Sequence, residues 1–178
     1  MTHTIERRSA ELEVRAKGRK LEGYAAVFST RAKIADFDEI IAPGAFAATL
    51  ATRKDVLALV DHDARALLGR TRNDSLKLSE DSKGLHFEIA LPQTTLADDI
   101  LALAEVRSIG GASFGFTATK DAWQGTLRTL HAVDLREISI VQSWPAYPQT
   151  SVSARALGHC ASSPLARRLR LLELEAGQ

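Results

Sequence analysis

Short apolar segments separated by polar turns run along most of the chain, and many of them alternate as half-buried β-strands do. Residues 21–28 have this pattern and predict an opening strand. Residues 56–60 form an apolar run too short for a buried helix, which favours an interior strand. Further strands are predicted over residues 113–119, 127–135 and 138–141. Strands therefore dominate the predicted architecture.

A β-hairpin is predicted in the middle of the chain. Apolar and polar positions alternate from residue 76 and again over residues 85–91, and the polar residues 80–84 between them are typical of a turn. Pro92 ends the second strand because it has no backbone N–H to donate.

Two segments have helical spacing. Pro43 suits the start of a helix in which Phe46 and Leu50 fall on one face. Thr94 or Thr95 is suited to cap a second helix that runs to about residue 107. Its buried stripe is predicted to contain Leu96, Ile100, Leu103 and Ala104.

The organisation that follows is one mixed, β-rich α+β domain over residues 1–156 with one or two packed helices. Residues 157–178 are interpreted as a C-terminal tail, in which residues 165–176 predict a short basic amphipathic helix. The 178 residues, 45% hydrophobic and 25% charged, are typical of a single globular domain.

Charge and cysteine content narrow the classes of function. The 23 basic and 22 acidic side chains leave a net charge of +1. This balance gives no sign of the excess of basic residues that is expected of a protein that binds nucleic acid or an anionic membrane. Residues 1–20 are charged throughout and contain no secretory signal, so an intracellular protein is expected. Cys160 is the only cysteine, which excludes an internal disulfide and a cysteine-based zinc cluster.

Three polar residues, His62, Ser113 and Glu137, lie where predicted strands end or where the backbone is tight. A serine hydroxyl becomes a good nucleophile when an imidazole accepts its proton and a carboxylate orients that imidazole. Taken singly, each residue has a simpler explanation: a tightly packed serine, a solvated turn histidine and an exposed strand-end charge. A catalytic set therefore depends on whether the fold brings the three together.

Ser113 lies within residues 111–115, which match the G-x-S-x-G nucleophile elbow. The elbow of an α/β-hydrolase requires a helix after the serine, whereas the segment after Ser113 is predicted to be a strand. This context disfavours a stand-alone esterase. The glycines still suit close backbone approach around a reactive hydroxyl.

His131 is an alternative third member of the set, because a second imidazole is also able to orient His62. Asp61 and Asp63 flank His62, but two carboxylates alone are a poor metal site. The sequence contains no zinc-protease, P-loop or EF-hand motif. No metal and no cofactor are expected.

A series of short motifs makes the chain resemble the prohead (capsid maturation) serine proteases of tailed phages, the HK97-like family, including relatives encoded by gene transfer agents. Each motif alone is short, whereas their order from residue 21 to residue 152 is specific. In sequence order they are GYAAVF at 23–28, IAPGAF at 41–46, VDHD at 60–63, LGRT at 68–71, GLHF at 84–87, SFGF at 113–116, LREISIV at 135–141 and PAYP at 145–148.

The resemblance implies a β-barrel-like fold similar to the herpesvirus assembly proteases, with helices packed around it. It also implies that Ser113 is the nucleophile, that His62 is the base and that Glu137 is the third catalytic residue. The herpesvirus relatives use a second histidine, so His131 stays open as an alternative to Glu137.

The function implied is a serine endopeptidase that cleaves the scaffold-like segment of the major capsid protein, and itself, during prohead maturation. This implies action inside the assembling prohead in the host bacterial cytoplasm, with no nucleic-acid or membrane partner, and leaves self-association open. The alternative is a non-catalytic capsid assembly factor that retains the protease fold.

Overall fold

A computed structural model of the protein describes residues 5–10 and 14–142. Within this part of the chain, eleven strands, two α-helices and a 3₁₀ turn at Thr71–Asn73 are found. The strands are β1 (Glu6–Ala10), β2 (Val14–Ala16), β3 (Lys20–Val27), β4 (Ala32–Ile34), β5 (Phe37–Ile41), β6 (Leu57–Val60), β7 (Asp63–Arg70), β8 (Leu76–Glu80), β9 (Gly84–Ala90), β10 (Gly111–Gln124) and β11 (Leu127–Val141). The helices are α1 (Ala47–Ala51) and α2 (Thr95–Glu105).

The strands are arranged in two sheets. The larger sheet has the order β1-β10-β11-β5-β4, and β6 also pairs with β11 and with β7. The smaller sheet has the order β2-β3-β9-β8. The long β10–β11 hairpin is the centre of the larger sheet, and both β5 and β6 run parallel to β11 along different parts of its length.

The core contains an aromatic row. The ring of Phe46 lies 6.2 Å from that of Phe28 and 5.4 Å from that of Phe114, measured between centroids. Phe114 in turn stacks on Phe116 at 5.1 Å. Because Phe114 and Phe116 lie two apart on β10, they point to the same face, whereas Ser113 and Gly115 lie on the other face. The site described below is built on that other face.

Helix α2 begins where the sequence predicts. The Thr94 hydroxyl accepts a hydrogen bond of 3.3 Å from the Ala97 N–H and so caps the first turn. The buried positions of α2 are Ala97, Ile100 and Ala104. Leu96 and Leu103, which were predicted for the buried stripe, are only partly covered. No helix in the described part of the chain is long and apolar enough to cross a membrane.

The predicted mixed, β-rich class is confirmed, with few helices among many strands. The described strands form two sheets, and no closed barrel is found among them. The predicted hairpin is present as β8 and β9, and the strands predicted at 127–135 and 138–141 are one continuous strand, β11. Helix α1 begins later than predicted, after Phe46 and not at Pro43. The predicted tail, residues 157–178, lies outside the described residues.

Candidate active site

His62 lies in a strained turn at the end of β6. Val60 pairs with Asp63, so Asp61 and His62 are the two residues that connect β6 to β7. Both have positive φ angles, +47° for Asp61 and +62° for His62. Residues other than glycine rarely adopt this conformation, which costs of order 1–3 kcal/mol per residue and is concentrated at functional sites.

Asp61 fixes this turn to the end of β11. Its backbone N–H donates to the Ile140 carbonyl at 3.0 Å. Its carboxylate accepts hydrogen bonds from Gln142, from the backbone N–H at 3.0 Å and from the side-chain amide at 2.8 Å. These three hydrogen bonds hold the turn in place, so Asp61 supports the backbone geometry of His62.

Glu137 contacts the imidazole directly. Its Oε1 lies 2.7 Å from His62 Nδ1, and both side chains are almost fully buried. This contact arises because β6 runs parallel to β11, with Val60 opposite Ile140, which brings the turn after β6 over the end of β11. An ionised carboxylate only accepts hydrogen bonds, so Nδ1 donates, and the neutral imidazole carries its proton on Nδ1.

Gly115 makes room for the Glu137 carboxylate. The two residues are paired across β10 and β11, and the register of the hairpin shifts just beyond them. A Cβ atom at position 115 would lie 2.7 Å from both Cγ and Oε1 of Glu137. That separation is shorter than any ordinary contact, so only glycine allows the observed position of the carboxylate.

Arg7 binds the same carboxylate from the other side. Its Nε donates to Glu137 Oε1 at 3.2 Å, to the oxygen that also accepts from His62. Arg7 is opposite Gly115 in the pairing of β1 with β10, and the glycine leaves the space between them open. The Glu137 carboxylate is therefore held by two donors.

Ser139 contacts two atoms of His62. Its Oγ accepts a hydrogen bond of 3.2 Å from the backbone N–H of His62 and lies 3.2 Å from Nδ1. Ser139 and Glu137 are two residues apart on β11 and therefore share a face. The imidazole thus lies against both.

Ser113 lies one strand further along the same face. It pairs with Ser139 of β11 on one side and with Ser9 of β1 on the other, and it is fully buried. Its Oγ donates to the Arg8 carbonyl at 2.8 Å. Among the described residues, no hydrogen bond joins Ser113 to His62; the hydroxyl at the imidazole is that of Ser139.

The other candidates from the sequence lie elsewhere. His131 is an exposed residue of β11, and Glu137 is the residue that contacts His62 Nδ1. Asp63 is paired with Arg65 and is not placed beside Asp61 as a joint ligand. Over residues 5–10 and 14–142, no three histidine, cysteine or carboxylate side chains are grouped closely enough to hold a metal ion.

Sequence reasoning missed Arg7 and Ser139 as members of the site. A signal for Ser139 was available, because a residue two positions after Glu137 on a strand has to share its face. No comparable signal exists for Arg7, which lies 130 residues before Glu137 and meets it only through the pairing of β1 with β10.

Comparison with known proteins bears on what this site does. The sequence profile of the caudovirus prohead serine proteases matches residues 3–162. In fold, the chain is similar to the capsid assembly protease of bacteriophage T4, with a TM-score of 0.51 and 10% sequence identity over 79% of this chain and 96% of that one. No curated protein matches the chain in sequence. Because the family profile spans most of its length, this chain belongs to the caudovirus prohead serine protease family and is a serine protease of capsid maturation.

Proposed function

We propose that the chain cleaves the scaffold-like segment of the major capsid protein, and itself, by an acyl-enzyme mechanism in which Ser113, His62 and Glu137 are the catalytic residues. The observation that carries this proposal is the 2.7 Å contact between Glu137 Oε1 and His62 Nδ1 beside a pair of serines, in a chain of the prohead protease family. In serine proteases, a carboxylate on one imidazole nitrogen leaves the other nitrogen to take the proton of the nucleophile.

The choice between Ser113 and Ser139 as nucleophile depends on which imidazole nitrogen is free to accept its proton. Ser139 lies at Nδ1, which Glu137 already occupies. Nε2 has no hydrogen-bond partner among the described residues, so it is the nitrogen left to act as base. Ser113 is the serine that remains. It is opposite Ser139, and the Cβ atoms of such cross-strand pairs are about 4.5–5.5 Å apart.

The resting hydroxyl of Ser113 points to the Arg8 carbonyl, so catalysis requires its rotation toward Nε2. Catalytic hydrogen bonds are often absent without substrate and form in the Michaelis complex. His62 then accepts the proton as Ser113 Oγ attacks the scissile carbonyl, and Glu137 stabilises the imidazolium. His62 returns the proton to the leaving amine, and water hydrolyses the acyl-enzyme by the same base.

The substrate assignment rests on the family. A prohead protease acts on capsid proteins inside the assembling shell, and the scaffold-like segment of the major capsid protein is the substrate that the motifs in this chain imply. Removing an internal segment would make assembly irreversible and free interior volume for DNA. The second candidate function, a non-catalytic assembly factor with this fold, is disfavoured because Glu137 orients His62 through Nδ1 while Nε2 has no hydrogen-bond partner among the described residues, an arrangement that suits a base.

The test is intact-mass spectrometry of the major capsid protein encoded beside this protease, co-expressed with wild type, Ser113→Ala or Ser139→Ala. We expect wild type to shorten the capsid protein at one discrete site and Ser113→Ala to lose roughly 10⁴-fold or more in rate. Ser139→Ala should still cleave at that site. If shells assemble with the wild-type protein but the capsid protein in them stays uncleaved, the result would favour the non-catalytic assembly factor. Equal cleavage by Ser113→Ala would exclude Ser113 as nucleophile.

A further inference from the structure

The hydroxyl of Ser139 contacts His62 directly, but the proposed mechanism does not use it. Ser139 is 1% exposed and lies near the C-terminal end of β11, paired with Ser113 of β10 on one side and with Leu59 of β6 on the other. Buried hydroxyls are retained where they have a specific hydrogen-bonding partner. Here both partners of Ser139 are atoms of one residue, His62.

An oxygen that contacts both the backbone N–H and the ring Nδ1 of one residue restrains its side-chain torsions. The two 3.2 Å contacts fix where the imidazole leaves the turn and how the ring is rotated about its bond to Cβ. The restraint matters because the backbone of His62 is in the left-handed region, where this residue has no intrinsic preference to remain. Glu137 alone fixes a single point of the ring.

We propose that Ser139 is a positioning residue for His62. Its hydroxyl oxygen accepts from the backbone N–H of the strained turn and contacts the ring at Nδ1, and this directs Nε2 toward Ser113. The inference rests on the proposed catalytic set and adds a fourth residue that acts through His62 and does not touch substrate.

The same geometry argues against Ser139 as a second nucleophile. A nucleophile and an orienting carboxylate have to bind opposite nitrogens, since the proton arriving at one nitrogen is stabilised through the other. Ser139 shares Nδ1 with Glu137 and is therefore placed with the orienting group.

The first measurement is the rate at which a fluorophosphonate phosphonylates the full-length protein, a reaction in which serine Oγ bonds to phosphorus and fluoride leaves, with the labelled residue identified by peptide mass spectrometry. In wild type we expect label on Ser113. In Ser139→Ala the label should stay on Ser113, and the second-order rate constant should fall about 10- to 100-fold, as small misplacements of a catalytic group do. Ser139→Thr retains the hydroxyl and should recover most of the rate.

Thr49→Val is the matched control for loss of a buried hydroxyl. Thr49 is also buried, and its Oγ1 donates to the Val133 carbonyl at 2.9 Å and accepts from the Leu135 N–H at 3.0 Å, away from His62. Any general loss of packing or stability should appear in this variant too. Its phosphonylation rate should equal that of wild type.

A second readout does not depend on activity and covers the case in which Ser139→Thr fails to fold. In protein labelled with ¹⁵N-histidine, the ring shifts of His62 report which nitrogen carries the proton. Glu137 should keep the Nδ1–H tautomer in all three proteins. The His62 ring resonances should be single and sharp in wild type and in Thr49→Val, and broadened or doubled in Ser139→Ala, because the ring then samples more than one orientation.

The outcomes separate this inference from the function on which it rests. Label on Ser113 with an unchanged rate and unchanged His62 ring resonances in Ser139→Ala would overturn the positioning role alone. Label on Ser139 in wild type, or no label on Ser113, would overturn the proposed catalytic set itself.

Discussion

Two polar clusters share strands β1, β10 and β11 and differ in whether all of their polar groups have partners. The ion-pair cluster consists of Glu6 and Arg8 of β1, Glu39 of β5, and Asp121 and Arg128 of the β10–β11 hairpin. The histidine cluster consists of Arg7 of β1, Ser113 of β10, Glu137 and Ser139 of β11, and His62 of the turn after β6. Alternate residues of β1 therefore contribute to different clusters, since they point to opposite faces.

The ion-pair cluster is closed. Arg8 and Arg128 both bind Glu39 and both bind Glu6, and Arg128 also binds Asp121. Burial acts to lower the pKa of Arg128, but the neighbouring carboxylates outweigh it and hold this pKa above its usual range. Such a set of strong pairs holds β1 on the sheet and has no capacity to transfer a proton.

The histidine cluster is open at one atom. Glu137, Arg7 and Ser139 account for the Nδ1 side of the imidazole, and Nε2 is left without a hydrogen-bond partner among the described residues. Burial of polar groups therefore does not by itself mark a catalytic site. We infer the catalytic site instead from an imidazole that is oriented through Nδ1 and has no hydrogen-bond partner at Nε2 among the described residues.

The strongest way to test this contrast is Glu137→Gln. The amide keeps the size of the side chain but favours the wrong imidazole tautomer, so we expect the rate of capsid cleavage to fall about 10⁴-fold by the precedent of the serine protease triad. The urea-unfolding midpoint should change little. Near-normal cleavage by this variant would mean that Glu137 does not orient His62.

Glu39→Gln is the matched change in the ion-pair cluster. It removes the charge shared by Arg8 and Arg128, and breaking a buried pair costs about 3–5 kcal/mol of unfolding free energy. Chemical denaturation should show this loss, while the fluorophosphonate labelling rate of the folded fraction should stay near that of wild type. A stable but inactive Glu39→Gln protein would contradict the separation of the two clusters.

Gly115→Ala tests how tightly the carboxylate of Glu137 is placed. The added methyl group would displace the carboxylate from the position that contacts His62. We therefore expect a loss of roughly 10- to 100-fold in the fluorophosphonate labelling rate. The same substitution made in the Glu137→Gln background should have little further effect, because the interaction it disturbs is already lost. Additive losses would place the action of Gly115 elsewhere.

Acid should weaken the ion-pair cluster through Glu6. Burial acts to raise the pKa of this carboxyl, but hydrogen bonds and charge from Arg128 and Arg8 outweigh it and hold the pKa below its ordinary value of 4.5. Its contribution to stability is therefore present above pH 4.5 and is lost as the pH falls through the lower folded pKa.

We expect wild type to have a higher urea midpoint than Glu6→Gln at pH 6, and we expect this difference to shrink as the pH falls below about 4.5. Equal midpoints for both proteins at pH 6 would show that the Glu6 pairs do not stabilise the fold.

The sequence by itself determined the local elements and the chemistry that was available. Local hydrophobic patterning predicted β3, β8 and β9, and a short apolar run predicted β6. The threonine at the start of α2 predicted its cap. These features depend on neighbours within a few residues. Strand β1 was missed because Glu6, Arg7 and Arg8 are typical of an exposed terminus. Their charges are instead satisfied by residues more than 30 positions away.

Only the tertiary structure decided how the site is put together. The parallel pairing of β6 with β11 brings His62 to Glu137 across 75 residues, and it brings Ser139 to the same ring nitrogen. The pairing of β1 with β10 adds Arg7 and gives Ser113 its resting partner. The period of a strand predicts which of its side chains share a face, whereas the register between distant strands follows from the packing of the whole domain.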